Sequence, residues 1–155
     1  MQHVIRIFLT CAAFLLVPSC SEPVAVTLME EVQHSNGLAV QRPDGFDVTE
    51  KAGGLALKEQ GALRSPRSVL IMLMDKAPAT KPRSQRRLAN GATASYAVER
   101  HSGGSGGDEY ELTAWRPANG RWIVLKGWVQ TEGGEPGFAV AWAVFDTAQV
   151  SGTTK

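Results

Sequence analysis

Cysteine is nearly missing from this 155-residue chain, and its only two, Cys11 and Cys20, fall close to the N-terminus. Residues 21–155 can therefore hold no disulfide, so packing alone must stabilise whatever fold they make. Histidine is scarce as well. Beyond His3 only His34 and His101 remain, isolated from each other, and they offer no spacing that resembles a zinc site. Net charge is also lacking, with 16 basic against 15 acidic side chains. Without Arg6 the two signs balance, which leaves no electrostatic footprint for nucleic acid. Nor is any apolar run long enough to cross a membrane as a helix. The run Ile7 to Val17 would span about 16 Å, roughly half of a ~30 Å hydrocarbon core.

That run has the length of a signal-peptide core and follows a short n-region made positive by Arg6. It closes on Leu16-Val17-Pro18-Ser19-Cys20, which resembles the lipobox of bacterial lipoprotein signals, with Pro18 its least typical residue. The resemblance implies that residues 1–19 are removed and that Cys20 becomes the lipid-bearing first residue, with palmitate among its acyl chains. Several chains on one cysteine make a stable anchor, where one would not. Ser21 in the next position resembles the sorting signal for the periplasmic face of the outer membrane. Residues 20–35 then read as a lipidated tether and residues 36–155 as a single domain, large enough for a core of its own.

Charge is unevenly spread. Residues 20–57 carry two basic and six acidic side chains, residues 58–100 nine and three, and residues 101–155 four and six. The middle block holds Lys81, Arg83, Arg86 and Arg87 beside Pro78 and Pro82. It reads as a solvated loop, with a docking surface as the alternative.

Within the tether, the stretch near Leu28–Val32 is expected to be helical. From Asn36 the chain reads as short strands between turns. Residues 37–42 end at Pro43-Asp44-Gly45, residues 46–49 alternate apolar with polar, and Gly53-Gly54 precedes 55–57. These are expected to be consecutive strands of an antiparallel meander. Residues 69–74 are apolar throughout and read as a central strand covered on both faces. After the proline-rich segment 76–87, residues 92–100 and 109–116 read as strands joined by a glycine-rich loop. Residues 122–130 form a longer strand, with Trp122, Val124, Lys126 and Trp128 on one face and Ile123, Leu125 and Val129 on the other. Pro136 is placed to begin a helix, with Glu135 at its positive end. Phe138, Ala141, Trp142 and Phe145 follow at helical spacing. The expected architecture is α+β, an antiparallel sheet with a C-terminal helix packed on it.

Gly103-Gly104-Ser105-Gly106-Gly107 matches the G-x-S-x-G nucleophile pattern, but that motif needs a helix after the serine. The following Glu109–Thr113 alternates like a strand, and both histidines beyond the signal precede Ser105. A flexible loop whose glycines permit close backbone approach is the plainer reading. Asp108, Glu109 and Glu111 lack the alternating ligands of a calcium hand. His101 reads as a solvated turn residue. Glu109, Glu132 and Glu135 could serve as paired carboxylates only if loops 101–109 and 130–137 met. An acidic binding surface has the same look and is more common. Both loops combine glycines with acids, as recognition loops often do.

Larger stretches carry a resemblance: 37–48, Leu63-Arg64-Ser65-Pro66-Arg67, 103–112, Glu135-Pro136-Gly137-Phe138 and Ala141-Trp142. Together they resemble the immunity lipoproteins of type VI secretion that protect against a periplasmic muramidase effector. The opening strand and turn are similar to the wider Mog1/PsbP-like fold. The resemblance implies a stoichiometric inhibitor without enzymatic chemistry or cofactor, whose partner is a secreted peptidoglycan hydrolase. Loop position and residue type make Asp108, Glu109, Glu132 and Glu135 the expected contacts, with Ser105 and Gln130 as hydrogen-bonding neighbours. Two other readings stay open: an envelope assembly or adaptor lipoprotein without a toxin partner, and a hydrolase using Ser105 or Glu109.

Overall fold

The computed structural model describes residues 25–61, 66–103 and 107–151. In order come β1 (Leu28–Gln33), β2 (Leu38–Pro43), β3 (Phe46–Lys51), β4 (Gly54–Glu59), β5 (Ser68–Met74), β6 (Ser84–Arg87), β7 (Thr93–His101), β8 (Asp108–Ala118), β9 (Arg121–Thr131), α1 (Ala139–Thr147) and β10 (Gln149–Val150). The larger sheet has seven antiparallel strands in the order β3-β4-β5-β9-β8-β7-β6, and a three-stranded sheet has the order β1-β2-β10. It is a mostly antiparallel β-structure with one C-terminal helix, as the sequence leads one to expect.

Period-two alternation builds the core. In register across four strands stand Leu55, Ile71, Leu125 and Ala114, each fully buried. They point to the face covered by α1 and by Leu38 and Val40 of β2. Gly127 fixes the close approach of the helix, since a Cβ there would lie 3.0 Å from that of Ala141. Phe138, Ala141, Trp142 and Phe145 are buried at the helical spacing read from the sequence. Trp142 meets Tyr96 edge-on at 5.2 Å and lies beneath the Arg86 guanidinium at 4.6 Å. β8 and β9 turn at Asn119 and Gly120, both with positive φ, the two-residue turn that suits strand twist.

Several expectations need correction. The stretch near Leu28–Val32 is a strand, not a helix. Leu28 and Val32 have helical spacing, but β2 offers that stretch an antiparallel edge, and a register shift between Leu28 and Glu31 accommodates it. The meander does not run through β2, because the turn at Pro43–Gly45 carries the chain from the small sheet to the large one. β5 is central, but only Val69, Ile71 and Leu73 are buried. Leu70 and Met72 are half-exposed, on a face that no helix or strand among the described residues covers. Residues 84–87 form an exposed edge strand inside the expected loop. Its two arginines suit an edge, where charge discourages unwanted pairing. The helix begins at Ala139. Phe138, at φ 51°, turns back to bury its ring, so neither Pro136 nor Glu135 caps α1.

Candidate functional site

Strand pairing decides whether the two glycine loops meet. Asp108 lies opposite Thr131 and Glu109 opposite Gln130. Both loops therefore leave the same end of the sheet. Gly107, at φ 88°, lies so close that an added Cβ would sit 2.6 Å from the Thr131 carbonyl oxygen and 3.0 Å from Glu132 Cγ. Glycine is required there for packing of loop on strand. Gly133 N–H donates to Thr131 Oγ1 at 3.0 Å, which tightens the start of the second loop.

The expected contacts are distributed as follows. Asp108 is half-buried and ion-paired with Arg100. Glu109, Glu132 and Glu135 are exposed, and none has an ion-pair partner among the described residues. Gln130 is half-buried beside Glu109. Ser105 and Cys20 lie outside the described residues. The segment after the glycine loop is strand β8, so the strand-turn-helix context of a serine nucleophile is not present. Among the described residues no cluster of His, Cys, Asp and Glu could hold a metal ion.

Pairings at this end were not legible in the sequence, although it named Glu111, Lys126 and Trp128. Glu111 accepts from Lys126 Nζ at 2.6 Å and from Trp128 Nε1 at 3.3 Å. Burial opposes the ionisation of Glu111, yet Lys126, Trp128 and the nearby His101 together hold its carboxyl below the usual range. Arg67 pairs with Glu59 at 2.5 Å and stands over the Phe46 ring. That hydrogen-bonded pair lowers the Glu59 carboxyl and raises the Arg67 guanidinium. The alternation in 122–130 put Lys126 and Trp128 on one face. Only the β8–β9 register shows Glu111 between them.

Two concavities lie at this end, and a third runs from it along the sheet toward Lys51 and Ala52. A half-enclosed apolar cleft of about 200 Å³ lies between β5, β9 and the start of α1, lined by Val69, Trp128, Phe138 and Val140 with Arg67. A polar one is lined by Pro66, Ser68, Glu109, Trp128 and Gln130. The third lies on the uncovered face of the sheet, over Ala56, Leu70, Met72 and Trp128. The N-terminal segment is here too. Asp44 N–H donates to the Thr27 carbonyl at 2.9 Å, and Ala25 and Val26 line a groove with Arg67 and Val140. With its carboxylates, clefts and an indole, this end offers groups for binding a partner.

Residues 39–149 match the family described as "Type six secretion immunity 3 domain". The chain is 42% identical over 138 residues to the "Immune protein Tsi3" of Pseudomonas aeruginosa, covering 89% of this chain and 94% of that one. A solved structure from Bacteroides thetaiotaomicron matches with a TM-score of 0.54 at 10% identity. That match covers 77% of this chain and 47% of the other, and it speaks to fold alone.

Proposed function

The chain belongs to the type six secretion immunity 3 family, and we propose that it protects its cell from a peptidoglycan-cleaving muramidase effector at the periplasmic face of the outer membrane. As an immunity protein of type VI secretion it inhibits a cognate effector. The finer reading is that it does so by occupying the effector's substrate groove with the loops at one end of the large sheet. The observation that carries it is the meeting of the two loops, which puts Asp108, Glu109, Glu132 and Glu135 at one end of the β8–β9 hairpin. Polar, cationic groups in a sugar-binding groove would complement these carboxylates. A short strand-anchored loop also loses little freedom on binding. On this reading the two sheets and the helix make a Mog1/PsbP-like sandwich.

The lipid on Cys20 belongs to the same proposal. Five peptide steps separate Cys20 from Ala25, a reach of about 17 Å at most. Ala25 begins the described chain at the loop end. The anchor would hold the binding end toward the membrane, and the tether length would set the room left for an effector. The test is to delete the gene in cells exposed to a toxin-armed sibling. The deleted strain is expected to lyse, with sugar cleavage products in its peptidoglycan, and a tether lengthened by ten glycine and serine residues is expected to retain protection. Indifference of the deleted strain to the sibling would overturn the reading and favour an adaptor role. Mass spectrometry of the purified protein tests acylation of Cys20 separately.

A further inference from the structure

The Trp128 indole, with its ladder partner Ser68, lines all three concavities. It is only half-buried, and its ring is held in place. Nε1 donates to Glu111 at 3.3 Å, and Lys126 Nζ, itself bonded to Glu111, lies 5.9 Å from the ring centre. The register puts Glu109 and Gln130 on the same face, one ladder rung further out from Glu111 and Trp128. A pinned aromatic thus stands beside a free carboxylate, with apolar clefts on either side. Tryptophan is over-represented among the few residues that dominate binding at protein interfaces, and a ring already fixed in place loses little freedom on docking.

We propose that Trp128 is the central anchor of the effector-binding surface and that the partner meets it with an arginine carried on an exposed loop. The inference rests on the inhibitory reading above and names the chemistry that reading requires of the partner. Arginine fits better than lysine or a purely apolar group. Its planar guanidinium can lie against an indole while forking onto a carboxylate. Its stem has Leu70 and Met72 to cover on the same face of the sheet. Glu109, unpaired among the described residues, supplies the carboxylate, and Glu132 and Glu135 extend the negative field toward solvent. Glu111 is already engaged by Lys126 and Trp128, so it positions the indole.

The experiment uses the full-length protein in detergent and, as probe, a catalytically inactive form of its cognate type VI effector. Affinity is measured by interferometry at two salt concentrations, with thermal unfolding of each variant alongside. Trp128→Ala is expected to weaken binding about tenfold or more, and Trp128→Phe, which keeps a ring, by about threefold or less. Glu109→Lys is expected to weaken it about tenfold and to remove much of the salt dependence. Should Trp128→Ala unfold, Glu109→Lys at the exposed rim decides. Trp128→Ala and Glu109→Lys both within twofold of the parent, while Glu132→Lys still weakens binding, would overturn the anchor and leave the inhibitory reading standing. An effector that does not bind the parent protein at all overturns both.

Discussion

The two ends of the large sheet are built by different rules. At one end, tight turns are tied to one another. His34 Nε2 lies 3.0 Å from the Lys51 carbonyl oxygen, and His34 Nδ1 accepts from Asn36 N–H at 3.1 Å. Asn36 Nδ2 reaches the Gly53 carbonyl, Arg121 reaches the Asn36 carbonyl, and Arg116 holds Ala148. At the other end long loops leave the sheet, carboxylates stand unpaired, and clefts remain open. The first end closes the core and the second exposes chemistry. One continuous core joins them, so the difference between the ends lies in their turns and loops and not in separate cores.

The largest expected effect lies in the core beside the tied end. Phe145 is fully buried against the sheet and beneath the Arg116 guanidinium. Phe145→Ala removes that burial, leaves a cavity, and is expected to cost about 3–5 kcal/mol in denaturant unfolding. A loss under 1 kcal/mol would mean that α1 is not integral to the core. His34→Leu is next. It leaves the Asn36 N–H and the Lys51 carbonyl without their partner and is expected to cost about 1–3 kcal/mol.

How legible this division was depends on the range of the signal. Between residues 37 and 130 every strand but β6, and the apolar stripe of α1, came from short-range alternation and spacing, and they stand within a residue or two of where the sequence put them. β1 was missed because its Leu28 and Val32 fit a helix as well as an edge strand, and only β2 settles the matter. β6 was missed because Gln85, Arg86 and Arg87 read as solvated, which an edge strand also is. The pairing of Glu111 with Lys126 and Trp128 was invisible for a deeper reason. A register between distant segments, not any local pattern, brings them together.

Acid should act mainly on the loop end. The Glu59 and Glu111 carboxyls both lie below the ordinary carboxylate value, near 4.3 when unfolded. A lowered folded value means that their contribution is complete above about pH 5 and lost as the pH falls through their folded values. Melting temperature is expected to drop by a few degrees from pH 6 to pH 3, and the Glu59→Gln, Glu111→Gln double variant should show a shallower drop. Both pairs are partly exposed, so salt should reduce the effect. A pH profile that the double variant leaves unchanged would assign acid sensitivity elsewhere.

The smallest expected effect on stability is the one that separates the two ends most sharply. Glu132 and Glu135 are exposed and pair with nothing among the described residues, so replacing both with lysine removes no contact. Unfolding should stay within about 0.5 kcal/mol of the parent. Binding to an effector that presents cations should fall by an order of magnitude or more, because attraction becomes repulsion at short range. If the double lysine variant instead unfolds easily, the loop 132–138 helps seat Phe138 and the start of α1, and recognition and stability share that segment. If it folds well and binds well, the negative surface that matters lies on β8, at Asp108 and Glu109. The position of Gly107 against Thr131 gives the reason to expect a stable fold with weakened binding: the loop is held by backbone contact at its base, which leaves its carboxylates free for a partner.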